Sequence, residues 1–310
     1  MVVHANPVAE APAPSADGHF LHKSFGDCMP TGPFARAARP PHATAADCAA
    51  SLDRDGYVVL PKVFGAEEVA ALRAWIDGLG GDDARYEVPQ WCFNKHVGAA
   101  YHRDPAFLRL IDRPAVVAAA RAVLGADCQV IGGSLWVTGP GRAMGLHADY
   151  IPMQLPEDVA ADPRVRMPAF VATAHFYLDD LTPEFGPTLL IPGSHRAGRP
   201  PRDEVAWRGR APELALVDAG DCLLFRSEIW HGAARNQGPR RRYLIQVHYA
   251  NVYIASGVPP VTRPESWSAE SLAAVTPLQR SLLGAPESVG RGSYIDHRAL
   301  AFSTTPRSAS

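Results

Sequence analysis

The sequence predicts a mainly β protein with flanking helices, in which a jelly roll carries a helical layer on one face. Two observations favour this class. From residue 128 onward, many short runs rich in β-forming residues are separated by Gly, Pro, Asp and Asn. Ahead of them lie segments whose apolar residues recur with helical periodicity. Many short strands at this spacing indicate a sandwich or a barrel, and a jelly roll fits best.

Composition excludes several classes of protein. The chain has 310 residues, 47% hydrophobic and 20% charged, which suits one sizeable folded core. A net charge of −2 gives no basic field to attract nucleic acid or an anionic membrane. The five cysteines are scattered, which favours a reducing compartment over a disulfide framework. The sequence has no apolar run of 18 residues and no signal-peptide pattern. We therefore expect a cytoplasmic monomer or homodimer without nucleic-acid or membrane partners.

The helical layer is predicted from three segments. Residues 66–79 place apolar side chains on one face and end at a Gly-Gly pair. An Asp-Pro pair at 104–105 is typical of a helix start, and this helix should run to residue 111. A further helix is expected over 114–124, ending at Gly125. We expect these helices to pack on one face of the β-core.

The strands follow in order. They are expected at 57–60, 128–138, around 145–149, and at 170–179, 188–191, 214–217, 222–225 and 242–249. Residues 151–168 carry four prolines and no apolar period, which predicts a long loop of the kind that often serves as a lid. Residues 268–283 could form another helix.

Three regions are predicted along the chain. Residues 1–45 are rich in Pro and Ala and should form an irregular arm. Residues 46–255 should form the β-domain, and residues 256–310 a C-terminal extension that wraps the same domain.

A short motif predicts a metal site. In an extended strand, side chains two residues apart share one face, so His147 and Asp149 can reach the same point. A second histidine would complete the two-histidine, one-carboxylate set of non-haem Fe(II) oxygenases. His231, expected at the end of another strand, is the candidate. His175, His195 and His248 are the alternatives: His195 lies in a turn-like Pro-Gly-Ser-His sequence, and the other two lie within predicted strands.

Several motifs in order resemble the phytanoyl-CoA dioxygenase family over roughly residues 50–252. They are His147-x-Asp149, Gly186-Pro187-Thr188 running into Ile191-Pro192-Gly193-Ser194-His195, Gly220-Asp221-Cys222-Leu223-Leu224-Phe225 ahead of Trp230-His231, and Arg242. The resemblance implies a double-stranded β-helix and an oxygenase that uses Fe(II), 2-oxoglutarate and O2. It also implies His231 as the third ligand. Related halogenases carry Gly or Ala in place of the carboxylate, so Asp149 favours oxidation without halide.

Arg242 is the expected partner of the far carboxylate of 2-oxoglutarate. A guanidinium binds a carboxylate through two parallel hydrogen bonds and stays charged when desolvated. Along the strand, Arg242, Gln246 and His248 share one face, while apolar residues share the face that suits the helical layer. Arg240 has the same phase and is the alternative. Thr188 and His175 are expected beside the same carboxylate.

The remaining site predictions concern a small-molecule substrate. Residues near the motifs in sequence, or on the expected cavity face, are candidates to shape its pocket: Trp136, Tyr150, Met153, Thr173, Tyr177 and Trp230. Lys95, one of only three lysines, could pair with an anionic substrate or lie in a surface loop. A free small molecule is preferred over a coenzyme A thioester, because no coenzyme A site is recognisable.

The predicted reaction is hydroxylation of an unactivated C–H bond, with release of succinate and CO2, in specialised metabolism. Desaturation, epoxidation or cyclisation at the same iron site remain alternatives. A cupin-like metal protein without 2-oxoglutarate, either an isomerase or a sensor, is the alternative outside this class.

Overall fold

The computed structural model describes residues 35–37, 44–79, 95–98, 105–151, 153–162, 164–254 and 273–284. Its helices are α1 (Ala45–Arg54), α2 (Ala66–Gly78), α3 (Pro114–Leu124), α4 (Glu157–Ala161) and α5 (Pro277–Leu282), with 3-10 turns at Pro105–Leu110 and Ser194–Ala197. Its strands are β1 (Ala35–Arg36), β2 (Tyr57–Leu60), β3 (Lys95–Gly98), β4 (Gln129–Thr138), β5 (Met144–His147), β6 (Val171–Tyr177), β7 (Thr188–Leu190), β8 (Glu213–Leu214), β9 (Cys222–Arg226), β10 (His231–Ala233) and β11 (Arg242–Ala250). No helix in these ranges is long and apolar enough to cross a membrane.

The strands form two sheets. One has six strands in the order β2-β9-β6-β11-β4-β3, and the other has five in the order β1-β8-β7-β10-β5. Every pairing within them is antiparallel except the parallel contact of β1 with β8. Strands from distant parts of the sequence are neighbours in each sheet. The predicted fold class, a double-stranded β-helix with flanking helices, is confirmed.

The six-stranded sheet has an apolar outer face. On β6, Ala172, Ala174 and Phe176 are fully buried in the largest hydrophobic cluster, and on β11 Ile245 and Val247 join them. Helices α1, α2 and α3 contribute to the same cluster. Each Å² of apolar area buried in this contact stabilises the fold by about 25 cal/mol.

The inner face of the same sheet is mixed, with polar side chains along β6 and β11 and an apolar cluster that includes Leu223, Phe225 and Leu244. Thr173, His175 and Tyr177 alternate with the outward residues of β6 and are buried. Gln246 on β11 lies opposite His175, and Ser134 on β4 lies opposite Gln246. The alternation predicted along β6 and β11 is therefore observed, and it directs the polar side chains toward the five-stranded sheet.

Several local elements differ from the predictions, and strands β1 and β3 were not predicted. Helix α1 was not predicted, although Thr44 and Asp47 form a reciprocal capping box at its start. Residues 105–110 form a 3-10 helix rather than an α-helix. Pro114 begins α3 and Gly125 ends it, as predicted.

The 151–168 loop is held to the body of the protein. It contains the short helix α4, and Arg166 forms an ion pair with Asp53. At the end of the loop, the buried Arg226 donates hydrogen bonds to the carbonyl oxygens of Met167 and Pro168.

The predicted terminal regions lie largely outside the described residues. Within the arm, Ala35 and Arg36 pair with β8, and Ala37 is buried. In the extension, helix α5 starts at a capping box formed by Thr276 and Gln279. The three-region division of the chain stays a prediction.

Candidate metal centre

Two paired strands bring the predicted metal ligands together. His147 is the last residue of β5, Asp149 follows two residues later, and His231 is the first residue of β10. The prediction that His231 ends a strand was wrong, since it begins one. His147 and His231 are register partners, and their ring centroids lie 4.2 Å apart.

A glycine allows this close pairing. A Cβ atom on Gly232 would lie 2.6 Å from the carbonyl oxygen of Met144 and 3.0 Å from that of Gly145. Because both neighbours are backbone atoms, any larger residue would push β10 away from β5. The role of Gly232 was not predicted from the sequence, in which its position directly after His231 was the available signal.

Hydrogen bonds orient both imidazoles. The Nδ1 atom of His147 lies 2.9 Å from the carbonyl oxygen of Gly145, and that of His231 lies 3.0 Å from the carbonyl oxygen of Ile229. Since a carbonyl oxygen only accepts, each Nδ1 carries the proton and each Nε2 keeps its lone pair. Metal-binding histidines are oriented in this way.

Asp149 completes the set of donor atoms. Its Oδ1 lies 3.4 Å from His147 Nε2, and its Oδ2 lies 3.6 Å from His231 Nε2. Donor atoms of the three residues all lie within 4.8 Å of one another. The Oδ2 atom is buried and accepts no hydrogen bond, which is costly for a carboxylate oxygen without a cation.

Protonation states suit metal binding. Burial lowers the pKa of His231 to about 4, so this imidazole is neutral at neutral pH. Burial would raise the pKa of Asp149, but His231 and His147 outweigh it and hold that pKa below its ordinary value. Two histidines and one carboxylate form a ligand set that fits Fe(II).

A buried arginine lies at one end of the cavity. Arg242 donates a hydrogen bond to the carbonyl oxygen of Gly186, and its Nε has no hydrogen-bond partner. Within the described residues, no carboxylate forms a salt bridge with it. The hydroxyl groups of Tyr177 on β6 and Thr188 on β7 form a hydrogen bond of 2.6 Å. We call Arg242, Tyr177 and Thr188 the arginine pocket.

The arginine pocket is dry and positively charged. Arg242, Tyr177 and Thr188 are all almost completely buried. Burial raises the pKa of Tyr177 to about 12, so its hydroxyl stays protonated. Burial lowers the pKa of Arg242, but a guanidinium keeps its charge in proteins. The pocket is therefore suited to an anion that can accept several hydrogen bonds.

A directed chain of hydrogen bonds fixes His175. The Trp136 indole N–H donates to Ser134 Oγ at 2.7 Å, and Ser134 Oγ donates to Gln246 Oε1 at 2.9 Å. The Gln246 amide nitrogen, a donor only, lies 3.2 Å from His175 Nε2, which must therefore accept. Burial lowers the pKa of His175 well below its ordinary value, so the proton resides on Nδ1. That Nδ1 is buried without a hydrogen-bond partner.

The opposite end of the cavity is less enclosed. Thr173 Oγ1 lies 2.7 Å from Ser227 Oγ and 2.9 Å from His248 Nδ1. The rings of Tyr150 and His248 meet edge to face at 5.4 Å. Tyr150 and His248 are only half-buried, unlike the arginine pocket. We call Tyr150, Thr173, Ser227 and His248 the open end.

Trp230 does not have the pocket position expected of it. It is fully buried, its ring packs edge to face on Trp207, and its N–H donates to the carbonyl oxygen of Arg199. It belongs to a separate core cluster with Leu146. The reason is alternation, because a residue next to His231 in the chain faces the other side of the sheet.

Lys95 contacts the end of a helix, and Met153 is exposed. The Lys95 ammonium donates to the carbonyl oxygens of Ile76 and Leu79, each at 2.6 Å, and so stabilises the C-terminal end of α2. The predicted substrate contact of Lys95 is therefore corrected to a helix cap. Met153 is half exposed on the 151–168 loop, and its contact with substrate stays a prediction.

The remaining predicted residues and the rival histidine are also located. Five of the predicted residues contact inner-face residues, as described above: Trp136, Tyr150, Thr173, His175 and Tyr177. His195 lies outside the cavity, where its Nε2 donates to the carbonyl oxygen of Asp53 at 3.0 Å. The sequence analysis missed Ser134 and Ser227. Ser134 could have been found, because it alternates with Trp136 on β4.

Comparison with known proteins agrees with this geometry. Residues 52–243 match the phytanoyl-CoA dioxygenase (PhyH) family. The chain is 26% identical over 230 residues to an ectoine dioxygenase of Stutzerimonas stutzeri, covering 64% of this chain and 74% of that protein. It is 27% identical over 235 residues to an L-proline trans-4-hydroxylase of Streptomyces griseoviridis, covering 64% of this chain and 84% of that protein.

A solved structure supports the fold. The structure of HygX from Streptomyces hygroscopicus, with nickel and 2-oxoglutarate bound, is 22% identical and superposes with a TM-score of 0.54. The match covers 67% of this chain and 87% of HygX. The family match extends over more than half of the chain. The chain therefore belongs to the phytanoyl-CoA dioxygenase family, and the prediction of an Fe(II)- and 2-oxoglutarate-dependent oxygenase is confirmed.

Proposed function

We propose that this protein hydroxylates an unactivated C–H bond of a small molecule in specialised metabolism, with His147, Asp149 and His231 as iron ligands and Arg242 as the anchor of 2-oxoglutarate. One observation carries the proposal. A three-donor metal set and a buried guanidinium, with no carboxylate salt-bridged to it among the described residues, both lie near the inner-face residue His175, on which their charges act. A metal-binding isomerase or sensor would not need the guanidinium.

The proposed iron ligands are already oriented toward one point. Both Nε2 lone pairs converge on the Asp149 carboxylate, because each Nδ1–H is held by a backbone carbonyl. Three protein ligands leave further coordination positions of Fe(II) available. Bound Fe(II) with 2-oxoglutarate and O2 supplies the oxidising chemistry, in which one oxygen atom enters the substrate and the other enters succinate as CO2 is released.

The arginine pocket would hold the far carboxylate of 2-oxoglutarate. Arg242 supplies a charged donor that is already desolvated, and the pair Tyr177–Thr188 supplies a hydroxyl. The His175 Nδ1–H lies on the same strand two residues from Tyr177 and is fixed as a donor, so it would donate to the same ligand. Preorganised donors of this kind lower the cost of binding.

One observation favours hydroxylation over the alternatives, because one relative is named as a proline hydroxylase. The Asp149 carboxylate stands at the position that halogenases leave vacant and argues against halogenation. Desaturation, epoxidation and cyclisation use the same ligands and stay the second candidates. We further propose that residues 46–255 form the oxygenase domain of a cytoplasmic monomer or homodimer.

The test is calorimetric binding of 2-oxoglutarate to the anaerobic Fe(II)-loaded protein, comparing wild type, Arg242→Ala and Arg240→Ala. Arg242→Ala should weaken binding by about 100-fold or more, because a buried charge-assisted contact is lost. Arg240 is the matched control. It is exposed and lies over the Phe185 ring at 4.8 Å, so its loss should change the affinity less than about 2-fold.

Two results would contradict the proposal. Unchanged 2-oxoglutarate affinity in Arg242→Ala would remove the assigned anchor. Loss of affinity in Arg240→Ala alone would move the anchor to the alternative arginine.

A further inference from the structure

The inner face of β6 connects two unlike environments. Tyr177, His175 and Thr173 project from it in that order, about 7 Å apart. Tyr177 belongs to the closed arginine pocket, whereas Thr173 belongs to the open end. The backbone N–H of Asp149 donates to the carbonyl oxygen of Ser227, which ties the open end to the metal ligands. The open end therefore lies beside the metal ligands.

The Thr173 hydroxyl and the Tyr150 ring hold the ring of His248 in place. Thr173 Oγ1 contacts His248 Nδ1 at 2.9 Å and Ser227 Oγ at 2.7 Å, so one ring nitrogen is fully engaged. Tyr150 packs edge to face against the same ring. A side chain held on two sides has lost most of its rotamer freedom before any ligand binds.

The second ring nitrogen of His248 is available to a ligand. Among the described residues, nothing forms a hydrogen bond with His248 Nε2, and the residue is half-buried rather than enclosed. Thr173 can donate to His248 Nδ1 while it accepts from Ser227, which makes Nε2 a donor. The reverse order of donation makes Nε2 an acceptor. The ring can therefore pair with either kind of polar group.

We infer that His248 is the substrate-orienting residue of this enzyme, and that its Nε2 binds a hydrogen-bonding group of a compact polar substrate. The inference rests on the proposed function, in that it assigns the substrate side of the same metal centre. Thr173 and Ser227 act through His248 as positioning residues. The arrangement selects against hydrocarbon substrates, since these would leave a half-buried imidazole nitrogen without a partner.

The orientation has a chemical purpose. A reaction at one C–H bond requires that the substrate be fixed by a group that does not itself react. His248 meets this requirement, because it lies toward the opposite end of β11 from Arg242 and is not one of the proposed iron ligands.

The test uses the zinc-loaded protein with saturating 2-oxoglutarate, in which binding is measured without turnover. A library of small polar molecules, L-proline and ectoine included, and apolar compounds of matched size are screened by ligand-observed NMR. The best ligand is then titrated into wild type, His248→Ala, Thr173→Val and Thr173→Ser, and 2-oxoglutarate is titrated separately by calorimetry.

The expected result has three parts. Compounds that bind wild type carry a hydrogen-bonding group. His248→Ala weakens the best of them at least 10-fold, and Thr173→Val weakens it several-fold. Thr173→Ser, which keeps the hydroxyl, binds like wild type, and 2-oxoglutarate affinity changes less than 2-fold in all three variants.

The inference is overturned if apolar compounds bind as well as polar ones, or if His248→Ala leaves the best ligand within 2-fold of wild type. It is also overturned if 2-oxoglutarate and the ligand weaken together, because that marks a structural role for His248. Failure of the proposed function looks different, since wild type would then not bind 2-oxoglutarate while the ligand still depended on His248.

Discussion

The two faces of the six-stranded sheet are both buried but differ in chemistry along β6. On β6, Phe176 packs in the apolar core while its neighbours His175 and Tyr177 face the cavity. The outer face consists of groups that gain free energy by leaving water. The inner face contains polar atoms that burial disfavours, and one of them, His175 Nδ1, has no hydrogen-bond partner. Buried polar groups left in this state indicate a ligand-binding surface.

The largest expected effect is on the inner side, at the metal ligands. His231→Ala should lower iron affinity and succinate formation by at least about 100-fold, since even residues that only orient metal ligands cost 10- to 100-fold. Metal content after dialysis and succinate release check this. The circular dichroism spectrum should stay that of wild type. A variant that keeps its iron would show that the site lies elsewhere.

Substitutions at two adjacent residues compare what the outer and inner faces contribute to stability and to binding. Phe176→Ala should lower the free energy of unfolding by about 3–5 kcal/mol, because it leaves a cavity in the outer core. Tyr177→Phe should lower it by only about 0.5–1.5 kcal/mol, yet weaken 2-oxoglutarate binding. Urea unfolding and calorimetry measure the two quantities. Equal losses of stability would contradict the division between faces.

The buried His195 should make the free energy of unfolding depend on pH in the acid range. Burial lowers the pKa of His195 to about 3, below the unfolded value near 6.5. The unfolded state therefore binds more protons in this window, and stability falls as pH drops from about 6.5 toward 3. His195→Gln should reduce this slope by up to about 1.4 kcal/mol per pH unit. Unfolding curves between pH 7 and 4 test it, and an unchanged slope would be the contrary result.

The smallest expected effect concerns Lys95, far from the inner face. Lys95→Met should lower the free energy of unfolding by about 0.3–1 kcal/mol, because the ammonium group that caps α2 is lost. Substrate and 2-oxoglutarate affinities should be unchanged. A change in either affinity would restore the substrate role that the sequence suggested.

Periodicity made much of the fold predictable. The alternation along β6 and β11 assigned both faces, and the caps at Pro114 and Gly125 bounded α3. Helix α1 was missed although Thr44 and Asp47 carry a capping signal in the sequence. The predictable features are those set by residues within a few positions of one another.

Site residues whose side-chain direction follows from alternation along a strand could be predicted from the sequence. Other site residues were harder to predict. His147, Asp149 and His231 were identified from spacing and family resemblance. The role of Lys95 could not be predicted, because the carbonyl oxygens that it binds are 16–19 residues away in the sequence, at the end of helix α2. Ser227 lies between β9 and β10, where no period constrains the direction of a side chain. Such contacts depend on tertiary structure alone.

The most direct test of the central claim is an anaerobic titration of the apo-protein with Fe(II) and then 2-oxoglutarate, followed by visible absorption. We predict a weak charge-transfer band in wild type that is lost in His147→Ala and Arg242→Ala. Iron binding without a band in wild type would contradict the account and favour a cupin-like metal protein that does not use 2-oxoglutarate.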